Sequence, residues 1–146
     1  MKIKKLSNQD YEAWLRLYLV YAKHYKTILS NDSIATTWSW LMDDEHPTSG
    51  IIAEVNGTLA GLAQFRPMPS PLRGHDIGFV DDIIVLPNFR GLGISEKLFQ
   101  EIKLYGKQFG WKTIRWITRD DNYRARTIYD KIATKTNWNL YEMNCD

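Results

Sequence analysis

One cysteine in 146 residues, three histidines and no long apolar run leave few places for several kinds of chemistry. Cys145 is next to last, so no internal disulfide is available, and a cytoplasmic location is the default expectation. Three scattered histidines and that cysteine do not make a metal site, and no metal is expected. No segment approaches the roughly 18 consecutive apolar residues of a membrane span. The start, MKIKKLSNQDYEAW, has basic residues without an apolar stretch after them, which argues against a secretory signal. Net charge is small as well, +2 at pH 7. Nineteen basic and 17 acidic residues nearly cancel, too mild a balance for a nucleic-acid surface. The length fits a single domain over residues 1–146, with a core that needs no staple.

Aromatics are abundant: six Trp and eight Tyr, enough to fill a core or line a cleft. Lys2 to Leu6 reads as a first strand. Tyr11, Trp14, Leu15, Tyr18, Ala22 and Tyr25 recur at spacings of three and four, one face of an amphipathic helix capped by Asn8 or Asp10. A second helix is predicted from about Asp32, and DDEHPTSG ends it in a polar loop. Two β-like runs flank Asn56-Gly57, the pair suited to a two-residue hairpin turn. The alternating prolines of PMPSPLRGH, residues 67–75, predict an exposed connection, since proline cannot feed a ladder. Ile77 to Leu86 is the next strand, stopped by Pro87. Ile94, Leu98, Ile102 and Tyr105 mark a helix, with Gly110 as its C-terminal cap. KTIRWIT is a strand, RDDNYRARTIYDKIA a helix and WNLYEM, residues 138–143, a closing strand. This order predicts a mixed α/β sheet with helices on both faces.

The informative stretch is VDDIIVLPNFRGLGISEKLF, residues 80–99. A strand ending at Leu86 aims PNFRGL at a helix N-terminus, where unpaired N–H groups and the helix dipole favour an anion. Gly91 and Gly93 clear side chains from those groups, and Arg90 adds charge. The nucleoside-triphosphate loop fails for want of a lysine in register, and the dinucleotide fingerprint fails at Glu96. Arg90, Gly91, Leu92, Gly93, Ile94 and Ser95 do fit [Q/R]-x-x-G-x-[G/A], with Ser in the last place. Downstream, Asn122, Ala125, Ile128, Tyr129, Lys131 and Trp138 match N-x-x-A-x-x-[LIF]-Y-x-[KR]-x-G-[FW], with Asn137 in the glycine position.

These two motifs, at this spacing, resemble those of the GNAT superfamily of N-acetyltransferases, and the IYDKIATKTNW version is similar to a branch with yeast histone and polyamine acetyltransferases. The resemblance implies a single-domain α/β (α+β) fold with a mixed, mostly antiparallel sheet. It implies acetyl-CoA as acetyl donor, its pyrophosphate on residues 90–95 and its pantetheine arm along Ile83, Ile84 and Val85. Asn122, Arg126 and Tyr129, three and four apart on one helix face, are expected beside it. Tyr129 takes the family's role of general acid for the departing thiolate. The acid two residues before the apolar run, Asp81, corresponds to the base of diamine acetyltransferases; Asp82 and a water chain are the alternatives. Strand alternation predicts that these two acids point to opposite faces. The acids of residues 43–45 and of 81–82 are candidates for attracting a cationic amine, and residues 67–75 and the loop after the second helix for bordering its pocket. The implied acceptor is a small-molecule amine. A protein lysine or N-terminal acetyltransferase and a non-catalytic acyl-CoA sensor are the competing readings. Many members are dimers, and the aromatic C-terminal strand is suited to pairing across a two-fold axis. No nucleic-acid or membrane partner is expected.

Overall fold

The computed structural model describes residues 1–146. Its elements run β1 (Lys2–Lys5), α1 (Tyr11–His24), α2 (Asn31–Met42), β2 (Ser49–Val55), β3 (Thr58–Ser70), β4 (His75–Val85), α3 (Ile94–Gln108), β5 (Ile114–Trp116) and α4 (Tyr123–Ile132). Short 3-10 turns precede α1 and follow β4. The five strands lie in chain order, antiparallel except for the parallel pair β4–β5. No helix is long and apolar enough to cross a membrane.

Two apolar layers sandwich the sheet. On one face Trp14 and Leu17 of α1 and Leu41 of α2 pack on Ile52, Leu62 and Ile84. On the other, Ile94, Leu98, Phe99 and Ile102 of α3 pack with Trp111 on Ile51, Ala53, Ala63, Phe65 and Val80. The Asn56-Gly57 turn forms as expected, both residues having positive φ. Helix α3 ends on Gly110 at φ 78°, where the Trp111 N–H reaches back to the Gly106 carbonyl over 2.8 Å.

Three expectations fail, each for a physical reason. The prolines of residues 67–75 are not a loose connection: β3 runs to Ser70, with Pro67 opposite Gly78 and Pro69 opposite Asp76. The last pair of β3 with β2 is Ser49–Phe65, so beyond it β3 has a free edge. Backbone N–H groups alternate sides along a strand, so prolines two apart remove donors from one side only. The closing strand at 138–143 does not form. Residues 134–146 have no regular structure and are exposed, with Trp138, Leu140, Tyr141 and Met143 facing out. Strand-like composition needs a neighbouring ladder, and none lies beside them. Finally, Asp81 and Asp82 do not alternate. Gln64 pairs with Asp82 and Phe65 with Val80, which makes Asp81 the extra residue of a β-bulge.

Trp111 packs closely on β4 at Gly78. A Cβ on Gly78 would stand 2.5 Å from Cε3 of Trp111, whose ring also covers Gly106. Gly78→Ala must therefore displace a packed indole, and should cost about 1–3 kcal/mol. A urea titration is expected to show a lower midpoint with unchanged slope; an unmoved midpoint would refute the packing argument.

Candidate active site

The bulge at Asp81 marks the end of the β4–β5 ladder, whose last pair is Val80–Trp116. Beyond it the two strands part and leave one side of β4 uncovered. The opening is a cleft of about 410 Å³ between Ile83–Val85 of β4, the loop and first turn of α3, the face of α4 and the last turn of α1. Ile83, Ile84 and Val85, which the family resemblance assigns to the pantetheine arm, thus line the cleft.

At one end lies the glycine loop. After Pro87–Phe89 the chain turns through Gly91 at φ 81° and Gly93 at φ 77°, a left-handed backbone that glycine tolerates and other residues resist. A Cβ built on either glycine meets nothing within 4 Å, so open space stands beside both. Gly93 caps α3 without any side-chain hydrogen bond, and the first-turn N–H groups remain free. Arg90, Gly91, Gly93, Ile94, Ser95 and Glu96 all line the cleft, and Arg124 faces it from α4. Leu92 does not; it is exposed on the outside of the turn.

Along the far wall α4 presents Asn122, Ala125, Ile128 and Tyr129. The Tyr129 ring is held edge-on by Phe99 at 5.8 Å and Trp116 at 5.4 Å. Burial, with the Tyr25 phenol nearby, pushes its hydroxyl up to about 12. Arg126 departs from expectation. Its guanidinium donates to the Asp120 carbonyl over 2.6 Å, tying α4 to its own lead-in turn, and it is not part of the wall. The 3.6-residue period explains this: within α4, Arg124, Ala125, Ile128 and Tyr129 share one broad stripe, and Arg126 lies beyond its edge.

The two acids have different surroundings, although both lie on the α1 side of the sheet. Gln64 and Arg66 are two apart on β3 and share that face. Asp82 accepts from Gln64 Nε2 over 2.6 Å, while Asp81 is clamped by Arg66 Nε at 3.0 Å. Arg66 also sits over the Phe79 ring at 4.8 Å. Burial pushes the Asp82 carboxyl above the usual carboxylate range, only partly offset by hydrogen bonds from Gln64 and Tyr21. The Tyr21 contact is looser than the Gln64 bond, and burial beside Asp82 holds the Tyr21 phenol strongly in its protonated form. Neither acid lines the cleft itself. The acidic loop at 43–45 is elsewhere: Asp44 pairs with Lys5 at 2.8 Å, Asp43 accepts from the Glu45 N–H, and this loop borders a separate cavity with Pro67 and Asp76. Sequence reasoning missed the α1 wall, formed by Val20, Tyr21, His24 and Tyr25. Tyrosines at 18, 21 and 25, spaced by three and four, were the available signal.

The description "Acetyltransferase (GNAT) family" belongs to a family model that matches residues 9–133. A D-amino-acid N-acetyltransferase of Saccharomyces cerevisiae is 26% identical over 144 residues, spanning 97% of this chain and 89% of the relative. The structure of a ribosomal-protein-alanine N-acetyltransferase from Brucella melitensis superposes with a TM-score of 0.81 at 24% identity, covering 99% of both chains. An aminoglycoside N-acetyltransferase solved in complex with CoA gives a TM-score of 0.82 at 16% identity, covering 99% of this chain and 95% of that one. With the family model covering most of its length and the fold shared end to end, the chain belongs to the GNAT family of acetyltransferases.

Proposed function

We propose that this acetyltransferase moves an acetyl group from acetyl-CoA directly to the amine of a small molecule. The observation that carries the reading is the pairing, in one cleft, of an uncapped helix N-terminus behind two left-handed glycines with the phenol of Tyr129. The residues fit the donor. Free N–H groups at Gly93 to Glu96 suit a pyrophosphate, and the open space beside Gly91 and Gly93 is what its approach requires. Arg90 and Arg124 add positive charge there. Acetyl-CoA, when bound, supplies an activated acyl carbon and a thiol leaving group.

The protein's own residues do the rest. The N–H groups of Ile83 and Val85, which alternate with the β3-facing N–H of Ile84, can polarise the thioester carbonyl. With its hydroxyl pushed up to about 12, Tyr129 keeps its proton at any working pH and can donate it to the departing sulfur. An alkyl amine, with a pKa of about 10, arrives as an ammonium and must lose a proton before it attacks. Asp82 is the better base of the two acids. Asp81 is neutralised by Arg66, whereas Asp82 is buried and held above 3.8, so its proton affinity is raised. Direct transfer needs no covalent enzyme intermediate, and Cys145 lies on the exposed C-terminal stretch. Support for a small amine comes from the yeast relative, named for D-amino acids, and from a cleft of about 410 Å³.

The test is thiol release from acetyl-CoA over polyamines, free D- and L-amino acids, aminoglycosides and a basic peptide. Tyr129→Phe should lower kcat by about 10²–10⁴ while acetyl-CoA binds as before. A variant with full turnover would remove the phenol from the mechanism, and turnover of the peptide alone would overturn the small-amine reading. Arg90→Ala should weaken acetyl-CoA roughly tenfold, the loss of about 1.5 kcal/mol from a charge-assisted contact, with little change in kcat. Calorimetry would check it, and unchanged affinity would contradict the assigned phosphate end.

A further inference from the structure

Asp82 is the best-placed base by its surroundings, yet it does not line the cleft. Tyr21 does line it, and its hydroxyl adjoins Asp82 from α1. Behind Asp82 runs a chain of buried groups. Trp14 Nε1 donates to Gln64 Oε1 over 2.6 Å, and Gln64 Nε2 donates to Asp82 Oδ2 over 2.6 Å. Trp14 is 0% exposed and Gln64 2%. An indole N–H can only donate, so it requires the carbonyl end of Gln64; the amide end is thereby committed to Asp82. The chain has one self-consistent polarity, and it leaves Oδ1 as the oxygen free of Gln64.

We propose that the Tyr21 hydroxyl is a catalytic proton carrier between the acceptor amine in the cleft and Asp82, which Trp14 and Gln64 hold in position for it. This rests on the reading of the cleft as an acetyl-transfer site. In the step, the substrate N–H bond breaks and its electron pair stays on nitrogen. That proton forms an O–H bond to the Tyr21 oxygen as the original Tyr21 O–H bond breaks toward Asp82. The amine and the Asp82 carboxyl end neutral, and Tyr21 is regenerated. The two transfers are concerted, because a free phenolate beside Asp82, in a buried site, is strongly disfavoured. The charged and titratable groups around Asp82 are Tyr18 and Tyr21 from α1, Asp81 on its own strand and Arg66 from β3, which neutralises Asp81. From α2, Thr37 contributes only a hydrogen bond to Tyr18. The Tyr25 ring packs against that of Tyr21, tilted, at 4.7 Å.

Activity should then follow the ionised form of Asp82. Its acid limb in kcat/KM lies above 3.8, with turnover falling as pH drops through it. The experiment compares Tyr21→Phe, Asp82→Asn and the double variant with the wild type, using an amine the wild type turns over. Each single change should lower kcat about 100-fold or more and abolish the acid limb, with acetyl-CoA affinity within about twofold of wild type. The double variant should be no slower than the slower single, as expected for residues acting as one unit. Gln64→Glu tests the positioning chain: a carboxylate cannot donate to Asp82, so turnover persists and the acid limb moves to higher pH. Tyr21→Phe with wild-type turnover and an intact acid limb would overturn the proposal, as would a double variant whose loss is the product of the singles. Should Asp82→Asn not fold, as judged by circular dichroism, Tyr21→Phe alone decides. A wild type that binds acetyl-CoA but releases no thiol with any amine refutes the acetyl-transfer reading itself, and the carrier with it. That result is distinct from a normally active wild type with an equally active Tyr21→Phe.

Discussion

One extra residue in β4 organises the molecule. Without the bulge at Asp81, period-two alternation would keep residues 80, 82 and 84 on one face, and Val80 could not serve the α3 layer while Ile84 serves the α1 layer. With it, the strand changes faces midway, satisfies both cores and bends. The bend falls where β5 stops pairing, so the sheet opens at the point where the strand changes faces. The cleft, the bare backbone of Ile83 to Val85 and the placement of Asp82 are consequences of one unpaired residue. Bulges beside active sites commonly have this effect of re-aiming a side chain and ending a ladder.

The cleft separates opposite electrostatic tasks. One end gathers positive potential from Arg90, Arg124 and the free turn of α3, with Glu96 the acidic exception on that wall. Toward α1 the charge is a single desolvated carboxylate among phenols and an indole, with the neighbouring acid cancelled by Arg66. Two of the phenols that line the cleft stay protonated, Tyr129 through burial and Tyr21 through burial and the field of Asp82. The two ends of a single trough thus differ in charge and in polarity.

Local rules made much of this legible. Asn56-Gly57, the period of α3 and the cap at Gly110 are short-range features, and each formed where the residues indicated. The glycine loop and Tyr129 were found because their motifs match a family pattern residue by residue. What escaped depends on partners far along the chain. Alternation placed Asp81 and Asp82 on opposite faces because a bulge has no sequence mark until β3 lies opposite. Pro67 and Pro69 read as a break because nothing local shows that the pairing of β3 with β2 ends at Phe65. Residues 138–143 have strand composition but no neighbour to bond. The α1 wall was hidden because tyrosines on an amphipathic helix serve a core and a cleft through the same spacing.

Every ladder of this sheet joins strands adjacent in the chain, β1 to β5 in order. Such a sheet can grow strand by strand as the polypeptide emerges, and its hairpins close loops of two to four residues at little entropic cost. The active centre cannot be acquired so gradually. Asp82, Gln64, Tyr21 and the glycine loop are in place once α3 has docked, but Tyr129 arrives on the last helix. A chain without α4 would hold the proposed donor end and base yet lack the proposed acid, so on that reading the cleft is completed only when α4 docks.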